Sequence, residues 1–148
     1  MKRETRILNV ELRTPENEDD KMVVEGYAVT FNSPATHGYT EIISDKALDD
    51  TDMSDVPLKY NHEDSHLIMA RTRNKSLELT KDEKGLFIRA ELIDTQSNKD
   101  IYKSIKAGLI DKMSFAFTVR GDEYDYDTDT RTITDIDKLY DVSVVDMP

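Results

Sequence analysis

Side chains in this chain recur with a period of two far more often than with the helical period. Val23 to Phe31 is rich in β-branched and aromatic residues, Leu86 to Leu92 alternates apolar with polar residues after a Lys84-Gly85 turn, and Ile7 to Leu12 alternates in part. A period of two sends successive side chains to opposite faces of an extended backbone, so each segment reads as a strand. Leu77 to Thr80 pairs with Leu86 to Leu92 as a hairpin across Lys81 to Gly85. Met113 to Val119, Arg131 to Ile136 and Leu139 to Val145 complete the set, with the Asp-rich stretch from Gly121 to Thr130 as a polar hairpin tip. Seven or more strands over one core suggest a mainly β fold, a small closed or partly open β-barrel flanked by a few helices.

The clearest helix begins near Ser97-Asn98-Lys99-Asp100, which fits an S-x-x-D cap. Ile101 and Ile105 fall on one face, Leu109 continues the stripe, and Gly108 supplies a stop. At 148 residues the chain is expected to be one domain, residues 1–148, with residues 1–6 as a loose terminal arm. No apolar run is long enough to span a bilayer, and Met1-Lys2-Arg3-Glu4 does not open a secretory signal. No membrane partner is expected, and with zero cysteines the natural setting is the cytoplasm. A net charge of −11 argues against nucleic acid as a partner, because binding phosphates needs clustered Lys and Arg. The acidic runs at Glu16 to Asp20, Asp49 to Asp52 and Asp122 to Asp127 read as solvated connections, since none has the ligand order of a calcium loop.

Three distant segments carry the parts of a serine hydrolase. Alternation along Met113-Ser114-Phe115-Ala116-Phe117 puts Ser114, Ala116 and Thr118 on the face opposite the aromatic residues, where small neighbours leave room for a substrate carbonyl. The plain alternative is a surface serine on an amphipathic strand. His62 closes the strand that begins at Val56. With His66 four residues on, it admits a zinc reading, but Pro57 and the β-prone residues after it argue against the helix that would set both rings on one face. His37 reads as a loop residue. On the last strand Leu139, Asp141, Ser143 and Val145 share one face and Asp146 lies on the other, so either Asp141 or Asp146 can supply the acid, but not both.

The surroundings of these residues narrow the choice. Glu25-Gly26-Tyr27-Ala28-Val29-Thr30-Phe31-Asn32, Glu41-Ile42-Ile43, Val56-Pro57-Leu58-Lys59-Tyr60-Asn61-His62, Lys106-Ala107-Gly108-Leu109, Met113-Ser114-Phe115-Ala116-Phe117 and Asp141-Val142-Ser143-Val144-Val145-Asp146-Met147-Pro148 occur in this order. In that order they resemble the prohead proteases of tailed phages, the HK97-like lineage, a family similar in fold to the herpesvirus assembly proteases. The resemblance implies a short helix from about Ser44 to Asp49 and a herpesvirus-protease-like barrel. It also implies a catalytic set of Ser114 as nucleophile, His62 as base and Asp141 as the orienting acid, with no cofactor and no metal. Arg71, soon after the histidine segment, is the candidate for stabilising the oxyanion, while Arg131 reads as a hairpin-tip charge. The implied substrates are the scaffold segment of a capsid precursor and the chain itself, met inside the prohead in the host cytoplasm. Strand edges leave scope for a homo-oligomer. Relatives run on past Met147-Pro148 into a tail, so a trimmed or self-processed form is implied. Two rival functions remain: a catalytically silent scaffold or interaction domain, and a metallohydrolase built on His62 and His66.

Overall fold

The computed structural model describes residues 1–17, 19–36, 38–64 and 67–146. Among these, ten strands and one helix follow in the order β1 (Arg3–Glu11), β2 (Met22–Thr30), β3 (Ala35–Thr36), β4 (Thr40–Ile43), β5 (Pro57–Tyr60), β6 (Ala70–Arg71), β7 (Leu77–Lys81), β8 (Gly85–Leu92), α1 (Gln96–Lys106), β9 (Lys112–Asp125) and β10 (Thr130–Val145). Arg131 to Ile136 and Leu139 to Val145, expected as two strands, are one strand interrupted by register shifts between Ile133 and Asp141. At 16 residues, β10 has room on one edge for two short parallel neighbours. β4 lies against Thr130 to Ile133 and β5 against Val142 to Val144. On its other edge β10 pairs antiparallel with β9, and β9 pairs in turn with β1.

The larger sheet therefore runs β1-β9-β10-β4-β3, with β5 on the far half of β10 and β6 beyond it, while β2-β8-β7 forms a second sheet. The expected barrel is not formed, because the two sheets are not paired into a closed circuit: Asn32 N–H past the end of β2 bonds to the Ile43 carbonyl of β4 at 2.8 Å, and a bridge joins the sheets at one corner. There, past a register shift in β1, Arg13 and Glu25 exchange main-chain hydrogen bonds of 2.9 and 3.0 Å. At the outer ends, β3 pairs only with β4 and β7 only with β8, so no strand among the described residues closes the circuit. The expected helix at Ser44 to Asp49 is a run of turns, with Ala47 N–H bonding to Ser44 and Asp49 N–H to Lys46, a span of three residues at each step. Arg3 to Arg6, part of the expected loose arm, are paired with Phe115 to Thr118 along β9.

Packing follows the alternation. Phe115 and Phe117 are fully buried and stack with centroids 4.7 Å apart, beside the fully buried Met113, Ile133, Ile136 and Leu139. Each such side chain contributes roughly 1.5–3 kcal/mol by leaving water. α1 adds Ile101 and Ile105 to this core. It starts earlier than Ser97 suggested, because Thr95 is the cap and accepts from Asn98 N–H at 3.1 Å. It ends as anticipated at Gly108, whose φ of +79° lets its N–H bond to Ile105 while Leu109 N–H reaches Ser104. That turn throws Leu109 outward, 77 % exposed, so it does not continue the buried stripe. Gly85 is dictated by space, since a Cβ there would lie 1.9 Å from the Val29 carbonyl oxygen on β2.

Arg131, read as a hairpin-tip charge, is the second residue of β10 and is held in an ion-pair network. It donates to both oxygens of Glu4 at 2.8 and 3.1 Å, to Asp122 at 2.8 Å and to Glu41 at 3.3 Å. Arg6 binds the same two glutamates from β1. Glu41 is only 3 % exposed, so these charges tie β1, β4 and β10 together across the sheet as a partly buried network.

Candidate active site

The site is assembled by register. In β9 and β10 Ser114 stands opposite Ser143 and Ala116 opposite Asp141, and in the parallel pair Ser143 stands opposite Lys59 of β5. Directly opposed residues project to the same face, so Ser114, Ser143 and Asp141 share one side of the sheet. β5 runs alongside and delivers the chain to His62 just beyond its last residue.

The turn that carries His62 bends sharply. Glu63 N–H bonds back to the Tyr60 carbonyl at 3.1 Å, and the two residues between, Asn61 and His62, have φ of +52° and +57°, the signs of a type I′ turn. Left-handed backbone costs a non-glycine residue roughly 1–2 kcal/mol, less for asparagine. Several contacts offset it. Asn61 N–H donates to the Val144 carbonyl at 2.8 Å, the Asn61 side chain accepts from Asp146 N–H at 3.1 Å, and His62 N–H donates to Ser143 Oγ at 3.1 Å. The turn thereby folds the ring back over the sheet.

There it joins the two predicted partners. His62 Nδ1 lies 2.5 Å from Asp141 Oδ1, and His62 Nε2 lies 2.7 Å from Ser114 Oγ. A carboxylate only accepts, so Nδ1 carries the ring proton and Nε2 is left with the lone pair that receives the Ser114 hydroxyl hydrogen. Ser114 and Asp141 are each 2 % exposed, while the histidine side chain is 23 % exposed and meets solvent from above. The expected open face of β9 is thus covered at Ser114, because the His62 turn folds over it. Ile7, opposite Ser114 on β1, is 38 % exposed and leaves an apolar residue beside the serine.

Ser143 is the member that pattern reasoning passed over. Fully buried, it donates to Asp141 Oδ1 at 3.0 Å while accepting from His62 N–H, and its Oγ stands 3.2 Å from Nδ1. It holds the Asp141 carboxylate and the His62 backbone at once. Its signal is present in the shared face of Asp141 and Ser143. What the pattern cannot show is that the histidine backbone lands on that face.

The other candidates lie elsewhere or do other things. Asp146 is exposed, and its carboxylate accepts from the Tyr60 hydroxyl at 2.8 Å, which holds its pKa below the ordinary range with help from Asn61. It makes no hydrogen bond to His62. Arg71 sends its guanidinium fork to Asp55 at 2.8 and 2.9 Å, so its charge is already answered, and no hydrogen bond joins it to Ser114, His62 or Asp141. It belongs to the wall of the neighbouring cleft. His37 and His66 lie outside the described residues, as do Met147 and Pro148. The zinc reading needs a free nitrogen on His62, and both ring nitrogens face Asp141 and Ser114. Among the described residues no group of three or more His, Asp or Glu is arranged to hold a metal.

Comparison with known proteins bears on this geometry. The family model for the Caudovirus prohead serine protease matches residues 9–148. The prohead protease of Enterobacteria phage HK97 is 28 % identical over 130 residues, which cover 85 % of this chain and 55 % of that protein. The chain thus spans about half the length of this curated relative. Among solved structures, the bacteriophage T4 capsid assembly protease superimposes with a TM-score of 0.55 over 96 % of this chain and 98 % of its own, at 12 % identity, a likeness of fold.

Proposed function

The chain belongs to the Caudovirus prohead serine protease family, and from that premise we propose that it is an endopeptidase that cleaves the scaffold segment of a capsid precursor, and itself, inside the prohead. One observation carries the reading: the unbroken run of hydrogen bonds from Ser114 through His62 to Asp141, at 2.7 and 2.5 Å. Ser114 Oγ attacks the scissile carbonyl carbon as its proton passes to His62 Nε2, and the carbonyl electrons move onto oxygen. Asp141 holds the ring in the tautomer that leaves Nε2 free and offsets the positive charge the imidazole then bears. When the oxyanion collapses, the C–N bond breaks and His62 returns its proton to the departing amine, leaving Ser114 acylated. Water activated by the same nitrogen then releases the acid and restores the serine.

Confinement with a densely packed substrate raises its effective concentration, so a modest intrinsic rate suffices. Incubation with a capsid precursor, followed by intact-mass analysis, tests the proposal. Discrete products from the wild type and none from Ser114→Ala are expected. Unchanged precursor, with no labelling of Ser114 by a serine-directed reagent, would instead leave a catalytically silent assembly domain.

A further inference from the structure

The strand registers place Ser114 at one end of a short ladder. On its face of the sheet, three rungs cross β1, β9 and β10: Ile7, Ser114 and Ser143, then Thr5, Ala116 and Asp141, then Arg3, Thr118 and Lys138. The third rung is four residues from the first along β9, a distance of about 13 Å, or about four residues of extended peptide. Ala116 and Thr118 are each 2 % exposed, so the ladder sets the spacing while the open space lies in the cleft beside it. Tyr140, in the register shift between Leu139 and Asp141, sets its ring at the far end. The Arg3 guanidinium lies 3.8 Å from the centroid of that ring and Lys138 Nζ 5.0 Å from it.

These three residues border a cleft of about 420 Å³ that reaches Asp141. Its other charged groups have partners: Lys59 pairs with Asp64 at 2.5 Å and Arg71 with Asp55 at 2.8 Å, while Asp141 accepts hydrogen bonds from His62 Nδ1 and Ser143 Oγ. Arg3 and Lys138 have no carboxylate within ion-pair distance among the described residues. Their fields reach Asp64, and Asp52 and Asp55, only from further away. Two cations sharing one aromatic ring repel each other, and an anion placed between them relieves that repulsion. In a protein of net charge −11, such a spot is a local reversal of sign.

We propose that this cleft is a specificity subsite for an acidic side chain of the substrate, carried about three to four residues from the scissile bond. The inference rests on Ser114 being the nucleophile. Arg3 and Lys138 bind the carboxylate and Tyr140 positions both cations, none of them touching the reacting atoms.

Digestion of a proteome-derived peptide library by this chain, with the cuts read by mass spectrometry, tests it. Glu or Asp should be enriched about three to four residues from the cut on one side. On a single peptide from that set, replacing the acid by its amide should lower kcat/KM about tenfold, mainly through KM, with the gap narrowing in high salt. Lys138→Glu should abolish the preference for Glu over Gln at that position, and Arg3→Gln should weaken it. Cuts with no acidic preference at that distance, or a preference that survives Lys138→Glu, overturn the subsite. The two failures are separable. If Ser114 labels with a serine-directed reagent and peptides are cut without acidic preference, only the subsite falls. If the chain neither labels nor cuts, the protease reading falls and takes the subsite with it.

Discussion

Asp141 is 2 % exposed, and a carboxylate so enclosed must find its partners inside the protein. It finds the ring of His62 and the hydroxyl of Ser143. The consequences differ for each residue that could be altered. Ser114→Ala removes one oxygen from a site flanked by small groups, so cleavage should fall on the order of a million-fold, the scale seen for a lost nucleophile elsewhere, with the melting temperature nearly unchanged. Asp141→Asn should cost up to roughly ten-thousand-fold in turnover, since an amide can hold the wrong imidazole tautomer and cannot offset its charge. Asp146→Asn, at an exposed carboxylate that holds only Tyr60 and Asn61, should be close to silent on the same peptide substrate. A crippled Asp146→Asn beside an active Asp141→Asn would reverse the assignment of the acid. Ser143→Ala should show both kinds of damage, because it leaves His62 N–H without its acceptor and loosens Asp141. A stability loss of about 1–3 kcal/mol by urea titration should accompany a drop in kcat larger than any change in KM.

Individual strands carry stability in ways that can be probed one at a time. Gly85 opens β8 against Thr30 of β2, and a methyl there would collide with the Val29 backbone, which no rotamer change can relieve. Gly85→Ala should destabilise the second sheet by about 1–3 kcal/mol or more, measured as a fall in the urea midpoint. At the other end, β1 is fastened to β4 and β10 by Glu4, Glu41, Arg6 and Arg131. Hydrogen bonding from Arg131, then from Arg6, holds the Glu4 carboxyl below its ordinary value of 4.5 despite partial burial. A carboxyl with a lowered folded-state pKa adds stability that is complete above the unfolded value and disappears as pH falls through the folded one. Wild type should therefore exceed Glu4→Gln by about 1–3 kcal/mol at neutral pH, with the difference closing as the solution is acidified below about pH 4.5. A gap that stays constant from neutral to acid pH would show that Glu4 acts by packing alone.

Across the whole molecule, the three residues of the site come from β9, β10 and the turn after β5, all within one sheet and over one core. Activity and secondary structure should therefore be lost together in urea, with one midpoint for peptide cleavage and for far-ultraviolet circular dichroism. An earlier loss of activity would show that the strained turn at Asn61 and His62 opens as a separate unit. The strand character of β2, β8 and β9, the hairpin of β7 and β8, and the helix stop at Gly108 are all legible in the amino-acid sequence, because each depends on neighbours within a few residues: alternation, turn chemistry, a glycine at positive φ. The candidate residues Ser114, His62 and Asp141 are offered by strand alternation, which leaves Asp146 open as the acid, and are singled out only by the resemblance of the segments around them. Three things are not legible. Whether the sheets close depends on which edge meets which, and edges carry no local signature. The merging of two predicted strands into one long β10 depends on bulges that the partner strand imposes. Ser143 and the ladder leading to Arg3 and Lys138 exist only once registers are set, because a shift of one residue would turn every one of those side chains to the opposite face. Short-range patterning determines which segments extend and which residues are chemically able; long-range pairing alone decides which of them meet.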